Sequence, residues 1–335
     1  MEKNVTKKQI AEYLGISRTT VSLVLNNVKS ARISEDTRKK VLEAARLLGY
    51  REINPVRSKS ACFILYNRTA DDPRYMMLLE CIEKVAGENG YNLVFMSLRK
   101  EQDDLYRLRR FLQTKETDFV IISGEIDDIV IDLLEKSGIM FFVYGPTNNL
   151  NINSFMIDPE KIAYEGVKSL IKRGHKRIAF FAGSLDFLIH KMNYNGYKRA
   201  LKESNIPFDA SLVQTSTKQD GAELVNRCDY LGIDYSAIFC VNTLLQFGSL
   251  IRLKEKGINV PLNVSLMGIG YSNLVRISDP QLSTIIEDHS EAIKILFKKI
   301  ISKIDDPSCM QKVERIILDV NPKFYEGGTI ADINV

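Results

Sequence analysis

Tryptophan is absent from the 335 residues, and histidine occurs only at His175, His190 and His289. No two of these form an H-x-x-x-H pair, so the chain lacks the ligand spacing of a helical zinc hydrolase. The five cysteines (Cys62, Cys81, Cys228, Cys240, Cys309) include no C-x-x-C pair, and most lie in apolar surroundings. That is the pattern of buried free thiols, not of disulfides or a metal centre. No apolar run approaches the ~20 residues of a membrane helix. The N-terminus is polar and charged, with no apolar signal region. These absences predict a cytoplasmic protein with no membrane partner. A G-x-S-x-G turn, a P-loop and a paired-carboxylate setting are also missing. Gly268-Ile269-Gly270 follows an apolar run. It lacks the further Gly, and the acidic residue ~20 positions on, that a dinucleotide site needs, so it is expected to be a strand-end turn. Asp71-Asp72 and Asp127-Asp128 read as solvated loop or helix-cap charges. No enzymatic activity, cofactor or metal is expected.

A chain of this length is expected to form two or three domains. Its charge is unevenly placed. Residues 1–61 hold 13 Lys and Arg against 6 Asp and Glu, while the remainder holds 33 against 36. A basic module of that size on a near-neutral body is the electrostatic footprint of a phosphate binder.

The basic module also has a pattern. Thr6 can cap a helix through its hydroxyl. Ile10, Ala11 and Leu14 follow at helical spacing, and Gly15 offers a left-handed C-cap. Ser17 then caps a second helix, with Val21, Val24 and Leu25 on its buried face. A third helix follows Ser34, with Val41, Leu42, Ala45, Leu47 and Leu48 as its apolar positions. Two helices joined by a short Gly-containing turn make a helix-turn-helix. The second, Arg18 to Asn26, can then enter a DNA major groove. The plain alternative is a three-helix cap, which the charge argues against.

From Ala61 the pattern becomes alternating strands and helices. Strands are expected at ACFILY, NLVFMSL, DFVIIS and IMFFVYG, with helices at Met76–Asn89, Asp103–Gln113 and Asp127–Ser137. The series restarts with SFMID. After it come helix Pro159–Arg173, RIAFFAG, helix Asn193–Ser204, helix Gly221–Leu231, AIFCV, helix Leu244–Lys256 and VSLMGIG. Such a series implies parallel sheets with helices on both faces.

The opening T-x-x-x-I-A-x-x-L-G-I-S (Thr6 to Ser17) is followed by T-V-S-x-x-L-N (Thr20 to Asn26). S-x-x-T-R-x-x-V-x-x-A-x-x-L-G-Y (Ser34 to Tyr50) and Asn54-Pro55 come next. Together these resemble the DNA-binding domain of the lactose-repressor (LacI/GalR) family of bacterial transcription regulators. Phrases further on resemble the family's effector domain: GHKRIAFFAG (174–183), the Gly196 to Leu201 segment, KGINVPLNVSLMG (256–268) and DPQLSTI (279–285). The glycines and the GHKRIAF run are read as scaffold, with His175 a structural histidine. The resemblance covers nearly the whole chain. It implies an all-α helix-turn-helix domain and an α/β periplasmic-binding-protein-like domain of two parallel-sheet lobes. We expect the former at residues 1–50, a shortened hinge or linker at 51–61, and the latter at 62–335. The N-lobe is expected at about 62–158 and 288–319, the C-lobe at about 159–287 and 320–335.

The resemblance also implies roles. The family reads base edges with the first exposed positions of its second helix, here Arg18 and Thr19. Arg18 can contact guanine bidentately or hold a phosphate. Thr6, Ser17, Thr20, Ser22, Ser34 and Thr37 are placed for phosphates, which set register without reading sequence. Asn26, Arg32, Tyr50, Asn54 and Arg57 complete the expected DNA contacts. Where the family commonly has Arg after T-V-S, this chain has Leu23, which suits a thymine methyl. The turn Val28 to Arg32 is about two residues longer than the family's. The family's hinge helix, N-P-x-A-x-x-L, is altered to NPVRSKSACFIL and looks about three residues short. A plain linker with Arg57 and Lys59 near phosphates fits it better than a minor-groove wedge. The expected partners are a double-stranded operator, a second copy of the chain and a small-molecule effector between the lobes. In a second reading, the basic module of a ligand-sensing protein meets a protein partner instead of DNA.

For the cleft, three departures from sugar-binding relatives stand out. Asn193 replaces an Arg, Asn242-Thr243 replaces Asn-Asp, and Gly270-Tyr271 replaces an Asp. Losing these charges predicts a less polar cleft, in which a simple sugar fits less well. An aromatic, nucleoside-like or weakly charged effector, a protein partner, or a degenerate pocket then remain open. Strand-end positions supply the other candidates: Asn67, Tyr75, Ser123, Glu125, Tyr144 and Glu287.

Overall fold

The structure is a computed structural model that describes residues 5–25, 33–50, 58–68, 73–306 and 312–333. The chain divides into two compact units, Met1–Ser58 and Lys59–Val335.

In the first unit, helix α1 (Lys7–Leu14) opens with a reciprocal cap. The Gln9 N–H donates to Thr6 Oγ1 at 3.4 Å, and the Thr6 N–H donates to Gln9 Oε1 at 2.8 Å. Two orphan donors are thereby satisfied. Gly15 ends the helix at φ +63°, a conformation that costs a residue without Cβ little. Helix α2 (Arg18–Leu25) starts at Ser17, whose hydroxyl accepts the Thr20 N–H at 3.0 Å. Ser34 does the same for α3 (Glu35–Leu47) through the Thr37 N–H at 3.3 Å. Ile10, Ala11, Val21, Val24, Val41, Ala44 and Ala45 make the core, with Leu25 and Leu48 half-buried at its edge. Two expected core positions are corrected: Leu42 and Leu47 are 43% and 78% exposed. The buried stripe of α3 steps through 41, 44, 45 and 48, and a neighbour in sequence is turned ~100° away from it.

The second unit holds two six-stranded sheets of the same winding. The first runs β11-β5-β4-β3-β1-β2, all parallel: β1 (Ser60–Tyr66), β2 (Asn92–Leu98), β3 (Phe119–Gly124), β4 (Met140–Tyr144), β5 (Ser154–Ile157) and β11 (Arg315–Leu318). The second runs β12-β10-β9-β8-β6-β7: β6 (Ile178–Ala182), β7 (Val213–Thr215), β8 (Ala237–Cys240), β9 (Ser265–Ile269), β10 (Ser283–Ile286) and β12 (Lys323–Tyr325). Only β12 is antiparallel to its neighbour.

Every residue of β1 is buried, because helices cover both faces of its sheet. Ala61 and Phe63 pack with α4 (Pro73–Glu88) and α12 (His289–Asp305). Cys62, Ile64 and Tyr66 pack with α5 (Gln102–Thr114) and α6 (Asp128–Ser137). Among the described cysteines, Cys62, Cys81, Cys228 and Cys240 are free thiols. Among the described residues, no helix is long and apolar enough to cross a membrane.

The chain passes between sheets at Asp158, at Glu287–Asp288 and across 319–322. SFMID therefore belongs to the first sheet, between β4 and β11, and does not open the second. The helix expected from Asn193 begins five residues earlier, as α8 (Leu188–Glu203). Strands β7, β10, β11 and β12 have three or four residues each, too few to carry a legible period. Sequence reasoning also passed over α12, although Ala292, Ile293, Leu296, Phe297 and Ile300 form a clear buried stripe.

In the second lobe, α7 (Pro159–Lys172) and α8 cross where Gly196 allows it. A Cβ there would lie 2.1 Å from the Glu160 carbonyl oxygen. Backbone atoms cannot yield as a flexible side chain can. We expect Gly196→Ala to destabilise the protein by about 1–3 kcal/mol or more, the usual range for overpacking. The check is the urea midpoint; a midpoint within error of the parent would show that the helices slide apart freely.

Candidate functional site

On α2 the first turn presents Arg18 and Thr19 to solvent, and Ser22 and Leu23 are half-buried farther along. Ser17 and Thr20 pair through their hydroxyls at 2.9 Å, as do Ser34 and Thr37 at 2.8 Å. In each pair one hydroxyl hydrogen is used internally and one remains to donate outward. Thr6, Ser17 and Ser34 thus start the helices; the first turn of α2 holds no acidic residue and leaves its positive dipole end open to an anion, whereas Glu35 and Asp36 occupy that of α3. Tyr50 packs half-buried against the helix-turn-helix core. Asn26, Arg32, Asn54 and Arg57 lie outside the described residues, as do the turn Val28–Arg32 and most of the hinge.

The second site follows from topology. In a doubly wound sheet, ligands sit beyond the C-terminal strand ends where the winding reverses. In the first sheet that place is between β1 and β3. The two strand ends come so close that a Cβ on Gly124, at φ +116°, would lie 2.1 Å from the Tyr66 carbonyl oxygen. Asn67 and Glu125 follow directly. In the second sheet the equivalent ends are those of β6 and β8, which lead to Asp186–Phe187 and to Asn242–Thr243.

Between these ends lies a cavity of about 430 Å³. Asn67, Tyr75, Ser123, Glu125, Tyr144 and Glu287 line it, together with Arg68, Arg74, Lys100, Asp186, Phe187 and His289. A small adjoining pocket is lined by Asn242 and Tyr271 and shares Arg74, Glu287 and His289. Asn193 lines neither; it is buried within α8, and its Oδ1 has no hydrogen-bond partner.

Two polar groups organise the larger cavity. In the first, Glu125 accepts from Asn67 Nδ2 at 2.8 Å and faces Arg68 Nη2 at 2.6 Å. The Arg68 guanidinium lies 5.0 Å from the Phe187 ring centre, so a cation–π contact bridges the lobes. In the second, the Tyr144 hydroxyl lies 2.8 Å from His289 Nδ1, and His289 Nε2 is 3.4 Å from Glu287, which Arg74 approaches at 3.8 Å. Burial works against the Glu287 charge, but Arg74 and the His289 hydrogen bond outweigh it and hold its pKa at about 2. Burial, with Glu287 nearby, pushes the Tyr144 phenol well above its ordinary range. Ser123 Oγ donates to the Tyr144 carbonyl at 2.8 Å and steadies the strand end. Asn242 is engaged as the N-cap of α10 (Thr243–Glu255), accepting the Leu245 N–H at 2.8 Å while its Nδ2 donates to Gln219.

The cleft nonetheless carries polar and charged groups from other elements: Arg68 after β1, Arg74 in the first turn of α4, and His289 at the start of α12. Sequence reasoning missed all three. The available signal was their position: residues just past a strand end or opening a helix at the switch point.

Two family profiles match the chain. One, "Bacterial regulatory proteins, lacI family", matches residues 6–52, and the other, "Periplasmic binding proteins and sugar binding domain of LacI family", matches residues 58–308. Catabolite control protein A of Priestia megaterium is 30% identical over 326 residues, covering 93% of this chain and 98% of that protein. The transcriptional repressor PurR of Mannheimia succiniciproducens is 28% identical, covering 89% and 92%. The lac repressor dimer bound to operator and the anti-inducer ONPF superposes with a TM-score of 0.82 at 21% identity, covering 98% and 100%. With profiles matched on both units and a relative aligned over nearly its whole length, the chain belongs to the LacI family of bacterial regulatory proteins: it is a DNA-binding transcription regulator with an effector domain.

Proposed function

We propose that the protein is a repressor that binds a pseudo-palindromic operator as a two-fold dimer, with α2 of each subunit in a major groove. The observation that carries this is the exposed Arg18–Thr19 start of a capped α2, set in the basic first 61 residues. Thr6, Ser17, Thr20, Ser22, Ser34 and Thr37 serve phosphates, and Leu23 meets a thymine methyl. Residues 51–59 act as a linker, the expected bound at 61 giving way to β1, which begins at Ser60, and Arg57 serves the DNA backbone. Dimer symmetry then sets the half-site spacing.

A small molecule in the 430 Å³ cavity changes the angle between lobes, and with it the separation of the two DNA-binding units. It acts only through unequal affinity for the two arrangements. Of the occupants left open by the substitutions, the paired Arg and carboxylate groups suit a polar ligand best.

The test is selection of random duplexes by the purified protein, followed by anisotropy on the selected site at rising salt. We expect a two-fold site whose affinity falls about 10³–10⁵-fold between 50 and 200 mM salt, as for six to ten phosphate contacts. Absence of any DNA binding at low salt would overturn the proposal and favour a protein partner for the basic unit.

A further inference from the structure

The crossovers that join the lobes gather at one side of the molecule. They lie at the β5–β11 edge of the first sheet and the β10–β12 edge of the second. Ion pairs tie the same side: Lys161 with Asp319, Lys323 with Asp288 at 2.8 Å, and Arg74 near Glu287. Arg68 follows β1 and Phe187 follows β6, each three strand positions from β5 or β10 in its sheet. At the usual strand spacing that is about 15 Å from the crossovers. The Arg68 guanidinium, 5.0 Å from the Phe187 ring centre, therefore spans the cleft on the side away from them.

Each half of this contact is fixed to its own lobe. Asn67 takes φ +51°, a left-handed conformation that asparagine tolerates, at the turn out of β1. Its Nδ2 donates to Glu125 at 2.8 Å, and Glu125 meets Arg68 Nη2 at 2.6 Å. The Arg68 side chain is 16% exposed. Opposite, the Phe187 N–H donates to the Ser184 carbonyl at 3.3 Å, and the Phe187 carbonyl accepts the Lys191 N–H at 3.0 Å. The His190 ring stands edge-on to that of Phe187, with centres 6.3 Å apart. Neither group can follow the other lobe outward without giving up these partners, so opening the cleft breaks the stack.

We infer that Arg68 and Phe187 form a latch that holds the cleft closed and sets the balance of open and closed lobes before an effector arrives. A cation–π contact between groups largely withdrawn from water shifts such a balance about 2- to 30-fold. Glu125 already fixes the guanidinium, so little side-chain freedom is lost on closing. An effector then works with or against this setting, by its unequal affinity for the two arrangements. That consequence rests on the reading of the cavity as an effector site that controls operator binding; the latch itself does not.

The test uses the full-length protein with nitroxides on keto-bearing residues introduced at Arg99 and Thr217, both exposed just past β2 and β7. These positions leave the native cysteines untouched and lie at the sheet edges farthest from the crossovers. Dilution with unlabelled subunits confines the measured distances to one chain. We expect Phe187→Leu and Arg68→Met each to raise the ratio of long to short distances about 2- to 30-fold. The double variant should do no more than the larger single change, because both break one contact. Phe187→Trp, with the stronger ring, should keep or lower the parent's ratio. The two substitutions lie on different lobes, so a folding defect in one, seen by circular dichroism, leaves the other to decide. Unchanged distances in the folded variants overturn the latch, as do effects that multiply in the double variant. A ratio that moves as expected while operator affinity stays constant upholds the latch and overturns the effector-controlled reading instead.

Discussion

Arg18→Ala is expected to abolish preference for one base pair in each half-site and to weaken binding to the selected operator by about 2–6 kcal/mol per dimer. A bidentate arginine–guanine contact contributes about 1–3 kcal/mol of discrimination, and a two-fold dimer makes it twice. Arg18 is the first residue of α2 and is exposed, the position from which a recognition helix reaches base edges. The competing role, a phosphate contact, gives a different signature. It would weaken all sequences alike and lower the salt slope by about one per subunit. Selection with parent and variant side by side, followed by salt titration, separates the two. A variant that selects the parent's site unchanged would remove Arg18 from base reading and leave Thr19 and Leu23 to carry specificity.

The second large effect lies in the cleft. Glu287 is 6% exposed, flanked by Arg74 at 3.8 Å and His289 Nε2 at 3.4 Å. Its pKa is held at about 2, below the ordinary 4.5. A group with a depressed folded pKa stabilises the protein fully above its unfolded value. That contribution is lost as the pH falls from about 5 towards 2. A depression of this size corresponds to about 3 kcal/mol at neutral pH. Glu287→Gln keeps the volume and removes the charge. Glu287 is buried but Arg74 is 32% exposed, so water can reach the cation left behind and the cost is expected to be about 3 kcal/mol or less. We therefore expect a clear drop in the urea midpoint at pH 7, with the gap to the parent closing between pH 5 and pH 2. A gap of constant size across that range would show that Glu287 matters by shape, not by charge. Glu287 joins the lobes at a crossover and borders both pockets, so the same variant should also change how effector alters operator affinity.

The first unit was largely legible because its signals are local. Thr6, Ser17, Ser34 and Gly15 each act within four residues, and those caps lie where the sequence places them. Leu42 and Leu47 show the limit: hydrophobicity names candidates, but only the axis of α3 decides which of them face the core. In the second unit, runs such as ACFILY mark strands because burial on both faces demands unbroken apolar sequence. The order of those strands is a long-range property. SFMI pairs with β4 and β11, the latter some 160 residues on, and nothing in its own residues says so.

The effector cleft divides the same way. By itself, the sequence determined the kind of protein: a basic, capped helix-turn-helix followed by a strand–helix series, with matching family phrases. It also named Asn67, Tyr75, Ser123, Glu125, Tyr144 and Glu287 as strand-end candidates, all of which line the larger cavity. Only the tertiary structure decided the chemistry of that cavity. Arg68, Arg74, Phe187 and His289 come from four separate elements and meet because two sheets of equal winding direct their switch points at one another. Substitutions at single positions, such as Asn193, say nothing of Arg68 and Arg74, which reach that cavity from other elements.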